Sequence, residues 1–365
     1  MRDDRQLRRS ATASAISRSS RLGFPKTRFQ GSKLRFLPFL RHALEPLAFE
    51  TAVDVFGGTG AVSYLLKRLG RRVHYNDALL SNHASGLALI ENGTHKLGSD
   101  RARGLFERAR GATYESFIQN TFKEIFYLDE ENASLDVAAQ NIARMGNAVD
   151  RALARHALFQ ACLMKRPFNL FHRRNLTLRT ADVKRSFGNK ATWERPFPEL
   201  LVEAAAAADA AVFDNGKANR ATALDAALCP LDAELVYLDP PYVRADKASF
   251  RYLDGYHFLE GICRYDEWKS LIDRSKRHLP LDLPPSPFED PRANRDALEA
   301  LFVRAAPARH IALSYRDDGL PAIDELVRLF EKLGRRVQRF SQENTYALAR
   351  KRSSEVLLIA TRKRG

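Results

Sequence analysis

The chain has 365 residues, with 59 Lys and Arg against 44 Asp and Glu, and therefore a formal net charge of +15. A surplus this basic favours a polyanionic partner, although charge alone does not separate DNA from RNA or from an anionic membrane surface. No run of about 20 apolar residues occurs, so a membrane span is not expected. The length suits one large α/β core with an insert.

Residues 1–23 are rich in Arg and Ser and contain few apolar side chains. They predict a disordered basic tail. A transit peptide is the alternative, because such segments are also rich in Arg and Ser, but Asp3, Asp4 and the weak amphipathic periodicity count against it.

A basic loop at residues 26–33 is followed by an apolar strand pattern at residues 51–55 and a glycine-rich turn at residues 56–60. A helical pattern with one apolar face then begins at Ala61. Glycine lets a ligand approach the backbone closely, and the N-terminus of the helix favours polar groups on that ligand. The turn does not match the dinucleotide pattern G-x-G-x-x-G, which argues against a hydride-transfer enzyme.

A second strand pattern at residues 72–75 ends at Asn76 and Asp77. An acidic residue at this place can accept hydrogen bonds from a ribose. Strand, glycine turn, helix, strand and acid together predict half of a nucleoside-cofactor site, although the pattern by itself is shared by many nucleotide cofactors.

Residues 100–209 interrupt the alternation of strands and helices. Two helical patterns are followed by a stretch rich in Arg, Lys and aromatic residues, which also includes Lys184, Arg185 and Phe187. As a cluster these residues predict a DNA-binding surface that contacts phosphates. For any single residue, a solvated basic face is the alternative. The candidates for DNA binding are Lys165, Arg166, His172, Arg173 and Arg174.

The apolar pattern at residues 235–238 leads into Asp239, Pro240, Pro241 and Tyr242. Two prolines cannot continue a central strand, so we expect a rigid corner at the carboxyl end of this strand, where open α/β sheets place their sites. The Asp239 carboxylate and the Pro240 carbonyl can accept the two hydrogens of an exocyclic amine while Tyr242 stacks on the base. An Asp-Pro-Pro turn is also ordinary loop chemistry, so the tetrapeptide is not decisive alone.

Three further features carry less information. His257 lies between aromatic residues, where a packing role is expected more often than proton transfer. The segment 279–291 contains five prolines and predicts a mobile surface loop, with nothing that requires it to border a site. Cys162, Cys229 and Cys263 are far apart, match no metal or disulfide pattern and are expected to pack in a reducing cytosol.

Four segments in this order, residues 29–33, 54–60, 75–77 and 239–242, resemble the Dam-like adenine-specific DNA methyltransferases. The resemblance extends through residues 250–258, 310–315 and 355–361, and so spans roughly residues 24 to 361. Residues 165–173 are similar to a subset of these enzymes from restriction–modification systems.

The resemblance implies an α/β fold: a Rossmann-like sheet of an S-adenosylmethionine-dependent methyltransferase with an inserted, mainly helical DNA-recognition domain. The catalytic domain would comprise residues 24–99 and 210–365, and the insert residues 100–209.

The resemblance also assigns roles to residues. S-adenosylmethionine would be the methyl donor, with the glycine turn against its methionine part and Asp77 on its ribose. Asp54 stands where many relatives carry Glu, and it would anchor the turn or the cofactor amine. Asp225 is a weaker candidate for the adenine edge, and a helix-start or loop acid is equally expected there. The full cofactor set is Phe29, Lys33, Asp54, Phe56, Gly57, Gly58, Gly60, Asp77 and Asp225, and the catalytic set is Asp239, Pro240, Pro241 and Tyr242.

The implied function is methylation of the 6-amino group of a flipped adenine in double-stranded DNA, as the modification enzyme of a restriction–modification system. This function further implies a cognate restriction endonuclease as partner, a monomeric state and a bacterial cytoplasmic, nucleoid-associated location. No metal and no membrane association are expected. The alternatives are methylation of the cytosine 4-amino group or of RNA, and a catalytically inactive DNA-binding or specificity subunit.

Overall fold

The computed structural model describes residues 23–181, 190–244, 251–344 and 353–363. Apart from residue 23, the predicted basic tail lies outside the described residues, as do Lys184, Arg185, Phe187 and Phe250. In the described part of the chain, no helix is long and apolar enough to cross a membrane.

The centre of the fold is a sheet in which seven strands have the order β3-β2-β1-β4-β5-β7-β6. Neighbouring strands from β3 to β5 are parallel, whereas β7 is antiparallel to both β5 and β6. This topology confirms the predicted Rossmann-like α/β fold. The strands are β1 Thr51–Asp54, β2 Arg72–Asn76, β3 Arg220–Thr222, β4 Leu235–Leu238, β5 His310–Arg316, β6 Arg335–Asn344 and β7 Ser353–Arg362.

Strand β4 at the centre of the sheet is apolar without alternation because both faces of the sheet are covered. All four residues of β4 are buried. Leu235 and Tyr237 pack into the apolar core on one side of the sheet, and Val236 and Leu238 pack into the core on the other side. Successive side chains of a strand point to opposite faces, and a parallel strand that is covered twice therefore consists of apolar residues throughout.

Helices cover both faces of the sheet and fill the connection between β2 and β3. A π-helical segment, Leu87–Glu91, continues α3 directly. The helices are α1 Leu37–Leu44, α2 Ala61–Arg68, α3 Leu80–Gly86, α4 Ser99–Gly104, α5 Phe117–Thr121, α6 Asp129–Ala143, α7 Ala148–Met164, α8 Thr177–Thr180, α9 Lys190–Glu194, α10 Phe197–Ala211, α11 Tyr252–Cys263, α12 Asn294–Arg304 and α13 Ile323–Lys332.

The segment between β2 and β3 shares its core with the sheet. Helix α7 packs against α3, which directly follows β2, and against α10. Leu158 from α7 belongs to the same apolar core as Tyr75 and Tyr237 from the sheet. Between β2 and β3 the described residues form helices α3 to α10 joined by loops. A separate, mainly helical DNA-recognition domain with bounds at residues 100 and 209 stays a prediction.

Candidate active site

The carboxyl ends of β1, β2 and β4 meet at one edge of the sheet, where they line a cavity of about 420 Å³. This convergence follows from the parallel topology, because chemistry placed after each strand is brought to the same edge. With the exception of Gly60, all predicted cofactor and catalytic residues line this cavity. Segments 29–33, 54–58 and 239–242, which are far apart in the chain, thus form one site.

Tyr75 of β2 shapes the glycine turn. A Cβ atom at Gly57 would lie 2.1 Å from the Tyr75 ring, which leaves no room for a side chain. The Tyr75 hydroxyl donates a hydrogen bond of 2.7 Å to the carbonyl of Gly58. Gly58 and Gly60 have φ values of 52° and 82°, which favour glycine. The Tyr75 side chain therefore fixes the backbone of the turn on one side, and Gly57 and Gly58 line the cavity on the other side.

Asp77 is tied to the glycine turn. Its Oδ2 accepts a hydrogen bond of 2.8 Å from the Gly58 amide, and its Oδ1 accepts one of 2.9 Å from the Leu79 amide. Burial raises the pKa of Asp77 to about 6. Each carboxylate oxygen has a second lone pair, so this oriented side chain can still accept hydrogen bonds from hydroxyl groups of a ligand.

Asp54 at the end of β1 has one oxygen without a partner. Its Oδ2 accepts a hydrogen bond of 2.7 Å from the Ser63 hydroxyl, whereas its buried Oδ1 has no hydrogen-bond donor. Burial raises the pKa of Asp54 to about 7. An unsatisfied buried acceptor costs roughly 1–3 kcal/mol, so a cationic donor from a bound molecule would be stabilised at this oxygen.

The loop before α1 is fastened to α11 by aromatic contacts. The Phe29 ring stacks on Tyr256 with ring centroids 3.9 Å apart, and it lies parallel to Tyr252 on the same helix. The Gln30 amide donates a hydrogen bond of 2.6 Å to the Tyr256 hydroxyl. Sequence reasoning did not identify Tyr252 or Tyr256 as supports of the site, since their partner lies more than 220 positions away.

Four polar side chains, Lys33, Asp239, Tyr242 and Glu355, meet at the corner that follows β4. Lys33 Nζ lies 2.9 Å from Asp239 Oδ1 and 2.8 Å from Glu355 Oε1. The Tyr242 hydroxyl contacts Lys33 Nζ and donates a hydrogen bond of 2.7 Å to Asp239 Oδ1. Both of these contacts with Asp239 are made through Oδ1, and Asp239 lines the cavity. The protein thus holds one carboxylate oxygen, and the other oxygen can accept a hydrogen bond from a ligand.

The charges of this cluster act on one another. Burial opposes the charge of Lys33, but Asp239 and Glu355 together raise its pKa, so the ammonium is retained. Burial also raises the pKa of Asp239; Lys33 opposes this shift, and the second carboxylate, Glu355, adds to it. Two carboxylates share one ammonium, which leaves one net negative charge at the corner when all three groups are ionised.

Glu355 was not identified from the sequence as a site residue. It lies near the start of β7, is 4% exposed, and is followed by five buried apolar residues. The only sequence signal for Glu355 is its position directly before an apolar strand pattern, and this position does not show which residues it contacts. The antiparallel register pairs Glu355 with Arg316 at the end of β5, which brings the beginning of β7 to the carboxyl edge of the parallel strands.

The proline-rich segment forms one wall of the cavity, which the sequence did not require. Residues 283–286 and Glu289 line the cavity. Glu289 accepts a hydrogen bond of 3.0 Å from the Tyr252 amide, and the buried Phe288 ring packs edge-on against Phe56 with centroids 5.0 Å apart. This segment therefore supports the turn that follows β1.

Two predicted DNA-binding residues are buried, and the prediction is corrected for them. Lys165 is 1% exposed, and its Nζ lies 2.7 Å from Glu131 Oε1. Arg166 is fully buried, donates to the Leu170 carbonyl and lies 4.6 Å from the centroid of the Phe126 ring. Side chains with these partners hold the helical segment together and do not reach a phosphate.

The other predicted residues of this stretch face outward. Arg173 and Arg174 are exposed, and His172 is half-buried. Asp225 is also exposed at the rim of the cavity, and its Oδ1 accepts a hydrogen bond of 2.7 Å from the Ala227 amide. Both interpretations of Asp225, as a ligand of the cofactor and as a turn residue, are compatible with this position.

His257 has the packing role that was expected. Its ring is fully buried against Phe126, and its Nε2 lies 3.0 Å from the Phe171 carbonyl oxygen. Burial lowers its pKa to about 3, so the imidazole is neutral. It does not line the cavity.

Comparison with known proteins gives a consistent result. A family model described as D12 class N6 adenine-specific DNA methyltransferase matches residues 29–265, well over half of the chain and all of the predicted site residues. The Type II methyltransferase M2.HphI of Haemophilus parahaemolyticus is 26% identical over 339 residues, which cover 91% of this chain and 95% of that protein. The modification methylase LlaI of Lactococcus lactis subsp. lactis is 24% identical over 319 residues, which cover 83% of this chain and 48% of that protein.

Proposed function

The chain belongs to the D12 class N6 adenine-specific DNA methyltransferases, and from this premise we propose that S-adenosylmethionine and a flipped adenine share the cavity. The enzyme methylates the exocyclic amine of adenine in DNA. The observation that carries the proposal is the Asp239 carboxylate, which has Oδ1 fixed by Lys33 and Tyr242 and Oδ2 left for an amine.

The residues around the cavity fit S-adenosylmethionine. Asp54 Oδ1, which is buried and without a donor, would accept a hydrogen bond from the amino group of its methionine part. Asp77 would accept the ribose hydroxyls, and the turn at Gly57 lets the backbone lie against the ligand. Phe29 and Lys33 would cover it from the N-terminal loop. When bound, the sulfonium supplies an electrophilic methyl carbon without a metal.

The catalytic corner compensates for a weak nucleophile. The lone pair of the adenine 6-amino group is delocalised into the ring, so the amine reacts poorly by itself. Hydrogen bonds from its two hydrogens to Asp239 Oδ2 and to the Pro240 carbonyl would favour a tetrahedral nitrogen and stabilise the positive charge that develops on it. Tyr242 would stack on the base. Alignment of the nitrogen with the methyl group and sulfur can contribute roughly 7–11 kcal/mol.

DNA would reach the corner across the helical segment. The target atom is inaccessible in a stacked duplex, so the adenine has to be flipped out. Exposed Arg173 and Arg174, together with His172, would contact the phosphates and position the duplex. Asp225 would lie close to the adenine part of the cofactor at the rim.

The names of the relatives support a role in restriction–modification. One is a Type II methyltransferase and the other a modification methylase. By analogy, this enzyme would protect the sites that a cognate restriction endonuclease cleaves. With chromosomal DNA as its substrate, it would act as a monomer in the bacterial cytoplasm, in association with the nucleoid.

A methyl-transfer assay tests the donor, the target atom and the corner together. Purified protein and an Asp239→Ala variant are incubated with mixed-sequence plasmid DNA and methyl-labelled S-adenosylmethionine, and the DNA is digested to nucleosides. We expect label in 6-methyladenine with the wild-type protein and none with the variant. Label in 4-methylcytosine would overturn the base assignment, and a failure to bind S-adenosylmethionine would overturn the assignment of the cofactor.

A further inference from the structure

We propose that Glu355 is a positioning residue for methyl transfer: through Lys33 and Tyr242 it fixes the Asp239 carboxylate, so that Oδ2 is the oxygen presented to the target amine. The inference deepens the proposed function and rests on it. It adds a fourth member to the catalytic corner, from the antiparallel strand β7.

Glu355 contacts both of the groups that hold Asp239. Its Oε1 lies 2.8 Å from Lys33 Nζ and 3.2 Å from the Tyr242 hydroxyl, and these two groups are the ones that hold Asp239 Oδ1. The Ser314 hydroxyl on the neighbouring strand β5 donates to the same oxygen and fixes it from behind. Glu355 thus orients both of the groups that orient Asp239.

The burial of Glu355 argues against an incidental surface position. A buried carboxylate is costly unless charged and hydrogen-bonding partners surround it, and here Lys33, Tyr242 and Ser314 supply them. Lys33 alone would form a neutral pair with Asp239. Because Glu355 shares the ammonium, the corner carries one net negative charge when all three groups are ionised, beside the place where the amine becomes positive.

The charged and titratable groups that face Asp239 come from several elements. Lys33 precedes α1, Tyr242 follows β4, and Glu355 belongs to β7. Tyr237 in β4 and Asp54 in β1 also interact electrostatically with Asp239. Burial and the neighbouring carboxylate of Glu355 raise the Asp239 pKa, whereas Lys33 lowers it.

The transfer step forms one bond to the methyl carbon and breaks another. The amine nitrogen uses its lone pair to form a bond to the methyl carbon. The carbon–sulfur bond breaks at the same time, and the electron pair of that bond stays on sulfur. The methylated nitrogen loses one proton to Asp239 Oδ2, and this carboxyl then releases the proton to water. Activity therefore requires ionised Asp239 at the start of each cycle, and the rate falls as the pH drops through its pKa.

The central test is Glu355→Gln, which keeps the size of the side chain and removes its charge. We expect kcat for DNA methylation to fall on the order of 10²-fold, because Asp239 loses its fixed orientation. Removal of the negative charge also lowers the Asp239 pKa, so the acid limb of the pH–kcat profile moves to lower pH. Binding of S-adenosylmethionine, measured by calorimetry, stays at the wild-type value. Glu343→Gln, an exposed acid on β6, is the matched control and leaves kcat unchanged.

A second variant, Glu355→Asp, separates charge from reach and keeps the test decisive if the glutamine variant does not fold. It retains the negative charge but withdraws the oxygen from Lys33. We expect kcat to fall while the acid limb stays where the wild type has it. Wild-type kcat and an unshifted pH profile in Glu355→Gln, or wild-type kcat in Glu355→Asp, would overturn the inference. Failure of the proposed function is distinct, since the wild-type protein itself would then form no 6-methyladenine.

Discussion

The two halves of the cavity are built in different ways. The cofactor half, with Asp54, the glycine turn and Asp77, comes from one continuous stretch of strand, turn, helix and strand, and hydrogen bonds to the backbone hold it in shape. The catalytic half brings Lys33, Asp239 and Glu355 together from distant parts of the chain and holds them by buried charges. We therefore expect changes in the first half to weaken donor binding and changes in the second half to slow chemistry.

The largest effect should follow from Asp239→Asn. The variant keeps an acceptor oxygen but loses the negative charge that stabilises the developing positive nitrogen. We expect kcat to fall on the order of 10²–10³-fold. Calorimetric affinity for S-adenosylmethionine should stay unchanged. A large loss of donor affinity in this variant would show that the two halves are not separable.

Gly57→Ala probes the cofactor half. The new Cβ atom would lie 2.1 Å from the Tyr75 ring, so the turn or the ring has to move. Overpacking of this kind costs typically 1–3 kcal/mol of unfolding free energy, and donor affinity should fall with it. Urea unfolding and calorimetry measure both quantities. Gly104→Ala, where nothing lies within 4 Å of the added atom, is the control and should leave both unchanged.

The ionisation of Asp54 predicts a pH dependence of donor binding. Its pKa of about 7 in the folded protein lies above the ordinary value of 3.8, so the folded state holds a proton that the unfolded state has released between these values. Stability without ligand should therefore decrease as the pH rises through this interval. Affinity for the cationic donor should increase several-fold as Asp54 ionises near pH 7. Ionisation of Asp77, whose pKa is about 6, should contribute to the increase at lower pH.

Asp54→Asn checks this pH dependence directly. Its amide cannot become negative, so the increase in affinity near pH 7 should disappear in calorimetric titrations. A variant that keeps the full increase would assign the titration to another group of the cavity.

The smallest effect concerns DNA contacts. The double variant Arg173→Ala/Arg174→Ala should reduce the slope of log K against log salt concentration by about 1.8, because each phosphate contact contributes about 0.9. Fluorescence anisotropy with a labelled duplex measures the slope. Lys165→Met, which alters a buried cation on the same segment, should leave it unchanged. Equal slopes in the double variant and the wild type would place the DNA surface elsewhere.

The sequence predicted most of the residues that line the cavity beside β1 and β2, because their signals are local. Each apolar run that became β1, β2 or β4 lies within a few residues of the turn or acid that follows it. The family resemblance added the order of the segments and Lys33, which the structure places at the corner with Asp239. Gly60 was predicted to contact the cofactor, but it is the residue directly before α2 and does not line the cavity.

The failures have a common physical cause. Lys165 and Arg166 were interpreted as phosphate ligands, although Glu131 and Phe126, more than 30 positions away, enclose them. Glu355 was overlooked because its importance depends on a strand that runs antiparallel and begins beside Asp239. Burial and partnership of charged side chains depend on tertiary packing, and local patterns do not encode them.

The central claim is that the corner at Asp239 methylates adenine, and base-resolved detection of modified DNA in a cell tests it most directly. Wild-type protein and Asp239→Asn are expressed in a host that lacks adenine methylation, and modified bases are mapped by single-molecule sequencing. We expect 6-methyladenine at one recurring sequence with the wild type and a much smaller modified fraction with the variant. Modified cytosine, or adenine methylation at the wild-type level in the Asp239→Asn strain, would contradict the account.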